Sequence, residues 1–362
     1  MIYLDHAATT PLCEAAKKAI IEHLDDFGNP SSSHEFGRRA RMLIEDARER
    51  IAKCISAELN EIYFTSGGSE ANTWALQDRY PLASSVEHHS IKTLARFNTC
   101  DSGRIHPEYL NQKIKEISEA FFGDPDIISC MYVNNETGIQ HNIKDLAQVA
   151  HSNLAIFHTD AVQAVGHIPI DVKDINCDML SASGHKFGAP KGVGFLYVKN
   201  GVRIHSLING GKQENCLRGG TENVLGIVAM AAALEDAVEH MEERNEHIKY
   251  LRDKLLDKLL QIPDSQLNGS LESRVPGNIN IRFSGVSGAR LVTLCSLYGV
   301  YISSGSACNE GVSEPSHVLK AIGLTDEEAL SSVRITIGYE NTEEEIDKAA
   351  EIITKLVNVI RK

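Results

Sequence analysis

The stretch Ser183-Gly-His-Lys-Phe-Gly-Ala-Pro-Lys-Gly-Val-Gly194 sets one lysine, Lys186, among small and flexible residues just before an apolar run, Phe195-Leu-Tyr-Val198. Its glycines let the backbone turn sharply and leave little bulk around the amine. A lysine held in a partly desolvated pocket loses its proton more readily and becomes an amine fit for Schiff-base chemistry. The competing reading is a surface turn with an ordinary solvated lysine. Polar residues also gather where apolar runs end: Asn134-Asn-Glu-Thr-Gly138 follows Ile127–Val133, Asp160 and Gln163 follow Ala155–Thr159, and Ser183 ends Cys177–Ser183. In an α/β sheet those strand ends are where ligand groups sit. One such group is an ordinary cap or turn; several in succession describe a pocket rim.

Other elements must position these groups. Glu61–Thr65 reads as a strand, and Ser66-Gly-Gly-Ser69 turns into a helix near Glu70, offering N–H groups and a dipole end to an anion. Val86-Glu-His-His-Ser90 brings His88 and His89, which serve either as structural hydrogen-bonding residues or as one ring stacked on a ligand. Pro11 is placed to open a helix through about Phe27. Glu35–Ser56 reads as an amphipathic helix whose arginines lie on a solvated face. A long helical pattern runs from Leu225 to about Leu260 and places a domain boundary near Asn245. Beyond it, Gly277–Phe283, Val300–Ser303 and a half-buried Val333–Ile337 read as strands, and Thr342 with Glu345 as a capping box.

The chain has 362 residues, of which 42% are hydrophobic, and a formal charge of −13. That length favours two domains. The acidic balance argues against direct nucleic-acid binding and fits a neutral or basic protein partner. No N-terminal run resembles a signal peptide and no window approaches the ~20 apolar residues of a membrane span, so a soluble, cytoplasmic protein is expected. The eight cysteines include no C-x-x-C pair, which excludes the usual zinc frameworks and any expected metal.

Read together, Tyr3-Leu-Asp-His-Ala-Ala-Thr-Thr-Pro11, Gly28-Asn-Pro-Ser-Ser, Thr65-Ser-Gly-Gly-Ser-Glu70, Val86-Glu-His-His, Val133-Asn-Asn-Glu-Thr-Gly138, Thr159-Asp-Ala-Val-Gln163, Ser183-Gly-His-Lys186 and Ser303-Ser-Gly-Ser-Ala-Cys308 resemble the cysteine desulfurases. These are class V aminotransferase relatives of fold type I that use pyridoxal 5′-phosphate (PLP). The resemblance runs from the first residues to the last helix. It implies an α/β fold with a large, mostly parallel seven-stranded sheet domain, residues 14–245, and a smaller α/β domain, residues 1–13 with 246–362.

By the same resemblance Lys186 would hold PLP covalently and move the substrate Cα proton, and His88 would stack on the ring and exchange the thiol proton. Asp160 would pair with the ring nitrogen, Gln163 with the ring hydroxyl, and Asn135 with cofactor and substrate. Gly68, Ser69, Ser183 and His185 would cradle the phosphate, with Thr221 reaching in from the second subunit of a homodimer. Arg334 would clamp the carboxylate of L-cysteine. Cys308, in a glycine-flanked loop of the long mobile-loop group, would take the sulfur as a persulfide and deliver it to an acceptor protein in iron–sulfur assembly, tRNA thiolation or DNA sulfur modification. Selenocysteine lyase and a non-catalytic sulfur-relay scaffold are the alternatives. Two departures stand out: the segment between Trp74 and Val86 is shorter than is usual in the family, and Gly338-Tyr-Glu-Asn lacks the basic residue that many relatives carry there.

Overall fold

The computed structural model describes residues 1–99, 104–121, 124–304 and 314–362; Cys308 and its neighbours 305–313 lie outside the described residues. Among the described residues a seven-stranded sheet dominates. From one edge it runs Ile62–Thr65, Gly194–Val198, Met179–Ser183, Ile156–Asp160, Ile127–Ser129, Pro81–Ser84 and Phe97–Thr99. Only Gly194–Val198 runs against its neighbours, so the sheet is mostly parallel, as expected. Its central strands read as unbroken apolar runs because both faces are covered. The helix Val224–Glu239, with ten buried residues, packs on Glu14–Glu22 and Glu35–Cys54 and closes one face.

A large core built around Ile51, Phe64, Phe157, Phe195 and Leu234 lies with this sheet. A second core joins Leu4, Leu251, Leu255, Phe283, Val333 and Leu356 around the antiparallel sheet of Ser265–Leu267, Asn278–Phe283 and Ser332–Thr336. The last helix, Glu343–Ile360, begins with the expected capping box of Thr342 and Glu345.

Several expectations change. The first helix starts at Glu14 rather than at Pro11, and ends at Glu22. Thr10 and Cys13 are bonded across to His185 and Gly188, which keeps Pro11 and Leu12 outside the helix, and Cys13 then caps the helix with its Sγ. The 225–260 helix is broken at His240. There the His240 ring and the Arg244 guanidinium both reach the Asp236 carbonyl, and the chain leaves helical geometry before Met241–Leu259 begins. The strand expected to be half-buried, Ser332–Thr336, is buried at all five positions.

The arginine face of Glu35–Cys54 is not wholly solvated. Arg48 is buried and makes a bidentate pair with Glu214, at 2.8 Å for both bonds, while Nη1 also donates to the Ile62 carbonyl at 2.6 Å. Glu214 in turn accepts from the Phe64 amide at 2.9 Å. The pair supports three consecutive non-glycine residues of positive φ, Glu214, Asn215 and Cys216, which a free chain would avoid. Removing one partner strands a buried charge, so Arg48→Met should lower the unfolding free energy by about 3–5 kcal/mol, measured by denaturant titration.

Candidate active site

Four strand ends and one turn converge on a cavity of ≈ 210 Å³. Ile156–Asp160 delivers Asp160, and Met179–Ser183 delivers Ser183 and then, through a single 3-10 turn, His185 and Lys186. The chain after Ile127–Ser129 brings Asn135, the chain after Pro81–Ser84 brings His88, and the second sheet contributes Arg334 from Ser332–Thr336. Gly68 and Ser69 open the nine-residue helix Gly68–Leu76, two residues earlier than expected, and also line the cavity, as does Gln163. Ten of the expected positions are thus brought to one place. Thr221 lies apart, on a cavity shared with Arg218 and Glu222, and Cys308 falls outside the described residues.

The N-terminal residues form a wall that the spacing did not foreshadow. Lys186 Nζ donates to the carbonyls of Ala7 and Ala8 at 2.6 and 2.8 Å, and Gln163 Nε2 donates to Ala7 O at 2.9 Å. Burial first, and then the Arg334 charge, lower the Lys186 pKa to about 8, against the opposing pull of Asp160 and Asp5. A far larger share of the amine is therefore free to react near neutral pH than in an exposed lysine, and half of it is free near pH 8. His185 is pushed down to about 4, mainly by burial with Lys186 and Lys191 adding to it, so its ring is neutral.

Asp160 is buried; its Oδ1 accepts from the Val162 amide at 2.9 Å and its Oδ2 from Asn72 Nδ2 at 2.7 Å. Asn72 has no motif of its own and was missed in the sequence, where it reads as one more position of an apolar helix. His88 caps a short helix by accepting from the Ser90 amide at Nδ1, and burial lowers its pKa while Asp160 opposes. Arg334 Nη1 donates to Asn135 O at 3.0 Å and Nη2 to Asp5 Oδ1 at 2.8 Å. Its buried Nε has no hydrogen-bond partner among the described residues.

This donor set fits a phosphorylated pyridine aldehyde and an amino acid. At one end, the amides opening Gly68–Leu76 sit with Ser183 and His185. There Gly67 has φ +153, and a side chain on Gly68 would strike Val162 Cγ2 at 2.6 Å, so the backbone itself forms the cradle. At the other end a buried carboxylate, Asp160, suits a protonated ring nitrogen, and the spare Nε–H of Arg334 suits a carboxylate. Among the described residues no cluster could hold a metal ion.

The profile of the family described as aminotransferase class-V matches residues 2–349. The chain belongs to that family. A cysteine desulfurase IscS from Methanosarcina thermophila is 40% identical over 386 residues, covering 99% of this chain and 93% of the relative. The matched length exceeds the 362 residues of this chain, so the relative carries positions that this chain lacks. A solved NifS-like protein from Rickettsia africae ESF-5 has a TM-score of 0.90 at 30% identity, covering 99% of each chain. A structure described as SspA in complex with cysteine has a TM-score of 0.78 at 33% identity, covering 94% of this chain and all of that one. The family is PLP-dependent, and the large, mostly parallel sheet is the fold of these structures.

The lowered Lys186 pKa has a direct consequence. Free amine is the attacking species, so covalent capture of PLP by apoprotein should rise with pH and reach half its maximum near pH 8 rather than near that of an exposed lysine. Borohydride trapping across pH 6–10 measures this, and Lys186→Ala should trap none.

Proposed function

We propose that this chain is a PLP-dependent cysteine desulfurase that converts L-cysteine to L-alanine and takes the sulfur as a persulfide on Cys308. What carries the reading is the gathering of Lys186, Asp160, His88 and Arg334 around one cavity, in a chain that matches cysteine desulfurases along its whole length. Lys186 would hold the cofactor covalently, and Asp160, kept in place by Asn72, would hold the ring nitrogen. Gly68, Ser69, Ser183 and His185 would bind the phosphate, Gln163 the ring hydroxyl, and Asn135 the cofactor and substrate. Bound there, PLP supplies a sink for the electrons left when the substrate Cα proton departs.

The chain's own groups then divide the remaining work. Arg334 orients the substrate carboxylate through its free Nε–H. Lys186, whose pKa of about 8 leaves a minor uncharged fraction at neutral pH, takes the Cα proton. His88 has Nδ1 engaged by Ser90, so Nε2 is the nitrogen that exchanges the substrate thiol proton. The Cys308 thiolate forms an S–S bond to the substrate sulfur. The Cβ–S bond breaks with its electron pair staying on carbon, and protonation there yields alanine.

The reading also carries a homodimer in which Thr221 completes the phosphate site of the other subunit, an acceptor protein for the persulfide, and two domains of residues 14–245 and 1–13 with 246–362. The two separate cores support that division. Six described cysteines are free, which suits a reducing, cytoplasmic setting.

Purified protein with PLP and L-cysteine should release alanine and carry a reducible sulfur on Cys308, detected by mass spectrometry. Cys308→Ala should lose alanine formation yet still exchange the amino-acid Cα proton with D2O, and Lys186→Ala should lose both. Alanine formation unchanged in Cys308→Ala would overturn the persulfide route.

A further inference from the structure

The peptide unit that follows Lys186 is held at both ends. Its N–H, on Phe187, donates to the Gly184 carbonyl at 3.1 Å and closes the 3-10 turn. Its C=O, on Lys186, accepts from His167 Nε2 at 2.8 Å. A carbonyl can only accept, so Nε2 carries the imidazole proton and Nδ1 is left as a lone pair. Burial lowers the His167 pKa first, the bond to the Lys186 carbonyl opposes, and the His6 and Lys186 charges add to the lowering, so the ring is neutral near pH 7. The ring's tautomer follows from the bond it makes.

The sequence builds this contact in two steps. Gly166 takes φ +80, and a Cβ there would lie 2.5 Å from Phe187 Cβ, so only glycine lets residues 166 and 167 come this close to 186 and 187. His167 is then fixed from behind, because Asn245 Nδ2 donates to its carbonyl at 2.8 Å. Asn245 belongs to Met241–Leu259, whose Leu251 and Leu255 lie in the second core. The lysine turn is therefore tied to that helix on its carbonyl side, just as the N-terminal segment holds its amine. A second cavity, of ≈ 100 Å³, adjoins the contact and is lined by His6, Cys13, His167, Lys186, Arg244 and Asn245. Lys186 lines both this cavity and the one lined by Asp160 and Arg334, whereas His167 lines only the smaller. A carbonyl that loses its partner there recruits water, since an unpaired buried acceptor is costly, and water on that side loosens the turn and reaches the amine.

We propose that His167, braced by Asn245, is a positioning residue for Lys186: its Nε2–H holds the peptide plane after the lysine and so keeps the amine on the Ala7 and Ala8 carbonyls, out of water. This deepens the desulfurase reading, on which the role of Lys186 as the reactive amine rests. Arg334, Asp160 and Asp5 act on the amine from the second sheet, the large sheet and the N-terminal segment. His88 and His185 feel its charge and His6 adjoins His167, each with a lowered pKa. None of these groups is altered by a substitution at His167, so the pH at which the amine becomes free reports where it sits.

The experiment follows that amine directly. Full-length protein freed of PLP is treated with acetic anhydride across pH 6–10, the rate at Lys186 is read by peptide mass spectrometry, and PLP capture by borohydride is measured beside it. Wild-type protein should show a midpoint near pH 8. His167→Phe fills the space of the ring without an N–H and should move the midpoint to about pH 9, leaving roughly tenfold less free amine at neutral pH. His167→Gln carries an N–H donor at the reach of Nε2 and should restore the wild-type midpoint. A His167→Phe midpoint equal to that of the wild type, a His167→Gln midpoint as displaced as that of His167→Phe, or a wild-type midpoint in the range of an exposed lysine would overturn the proposal. If His167→Phe does not fold, Asn245→Ala frees the His167 carbonyl and should displace the midpoint in the same direction by a smaller amount, and an unmoved midpoint there overturns the proposal. Wild-type protein that captures no PLP sinks the desulfurase reading instead, while the acetylation midpoints still decide the role of His167.

Discussion

The site depends on the N-terminal residues Asp5 to Thr10 lying across the lysine turn. Ala7 and Ala8 hold the Lys186 amine with their carbonyls, and Thr10 binds the His185 carbonyl and the Gly188 amide. On the other side, Asp5 pairs with Arg334 and the Ala7 amide donates to Thr336 Oγ1. Six residues from the start of the chain thereby join the large sheet, which carries the lysine, to the second sheet, which carries the arginine. Without that seam Lys186 would be solvated and its pKa would return toward that of an ordinary lysine. Two carbonyls fix the direction of the amine while burial and a neighbouring guanidinium favour its neutral form. Orientation and reactivity thus have separate causes.

The charges around the cavity follow the same economy. Lys186 and Arg334 face Asp160 and Asp5, and each acid is held by a specific donor, Asn72 for one and Arg334 itself for the other. The end of the cavity at the start of Gly68–Leu76 carries no arginine among the described lining residues. It relies on backbone amides at a helix start, a hydroxyl and a neutral imidazole. Uncharged donors could hold an anion there without placing a further cation beside Lys186.

Local chemistry was the legible part of the sequence. Polar groups after apolar runs placed Asn135, Asp160, Gln163 and Ser183 on one rim, and the Ser-Gly-Gly-Ser turn placed Gly68 and Ser69 there, because strand ends and glycine turns are written in neighbouring residues. Contacts between distant segments were not legible. Arg48 reads as one more charge on an amphipathic helix until Glu214 meets it from 166 positions away. Cys13 reads as a helical residue until Gly188 holds its amide, and Ser332–Thr336 reads as half-solvated until helices and neighbouring strands cover both faces. The break at His240 was invisible for a related reason. Helical periodicity continues through it, and only the two side chains that converge on the Asp236 carbonyl end the first helix.

Full burial of Ser332–Thr336 has its own functional logic. Arg334 makes one contact to Asp5, one to Asn135 and two backbone bonds to Ser303, so it touches the N-terminal seam, the motif turn and the start of the Cys308 stretch at once. A guanidinium held by both Asp5 and Asn135 has lost its rotamer freedom before any ligand arrives, so an anion bound beside it would cost little further ordering. An exposed strand could not provide this, because water would compete for each bond and the side chain would wander. The residues that line the cavity are therefore rigid, held on strands and braced turns.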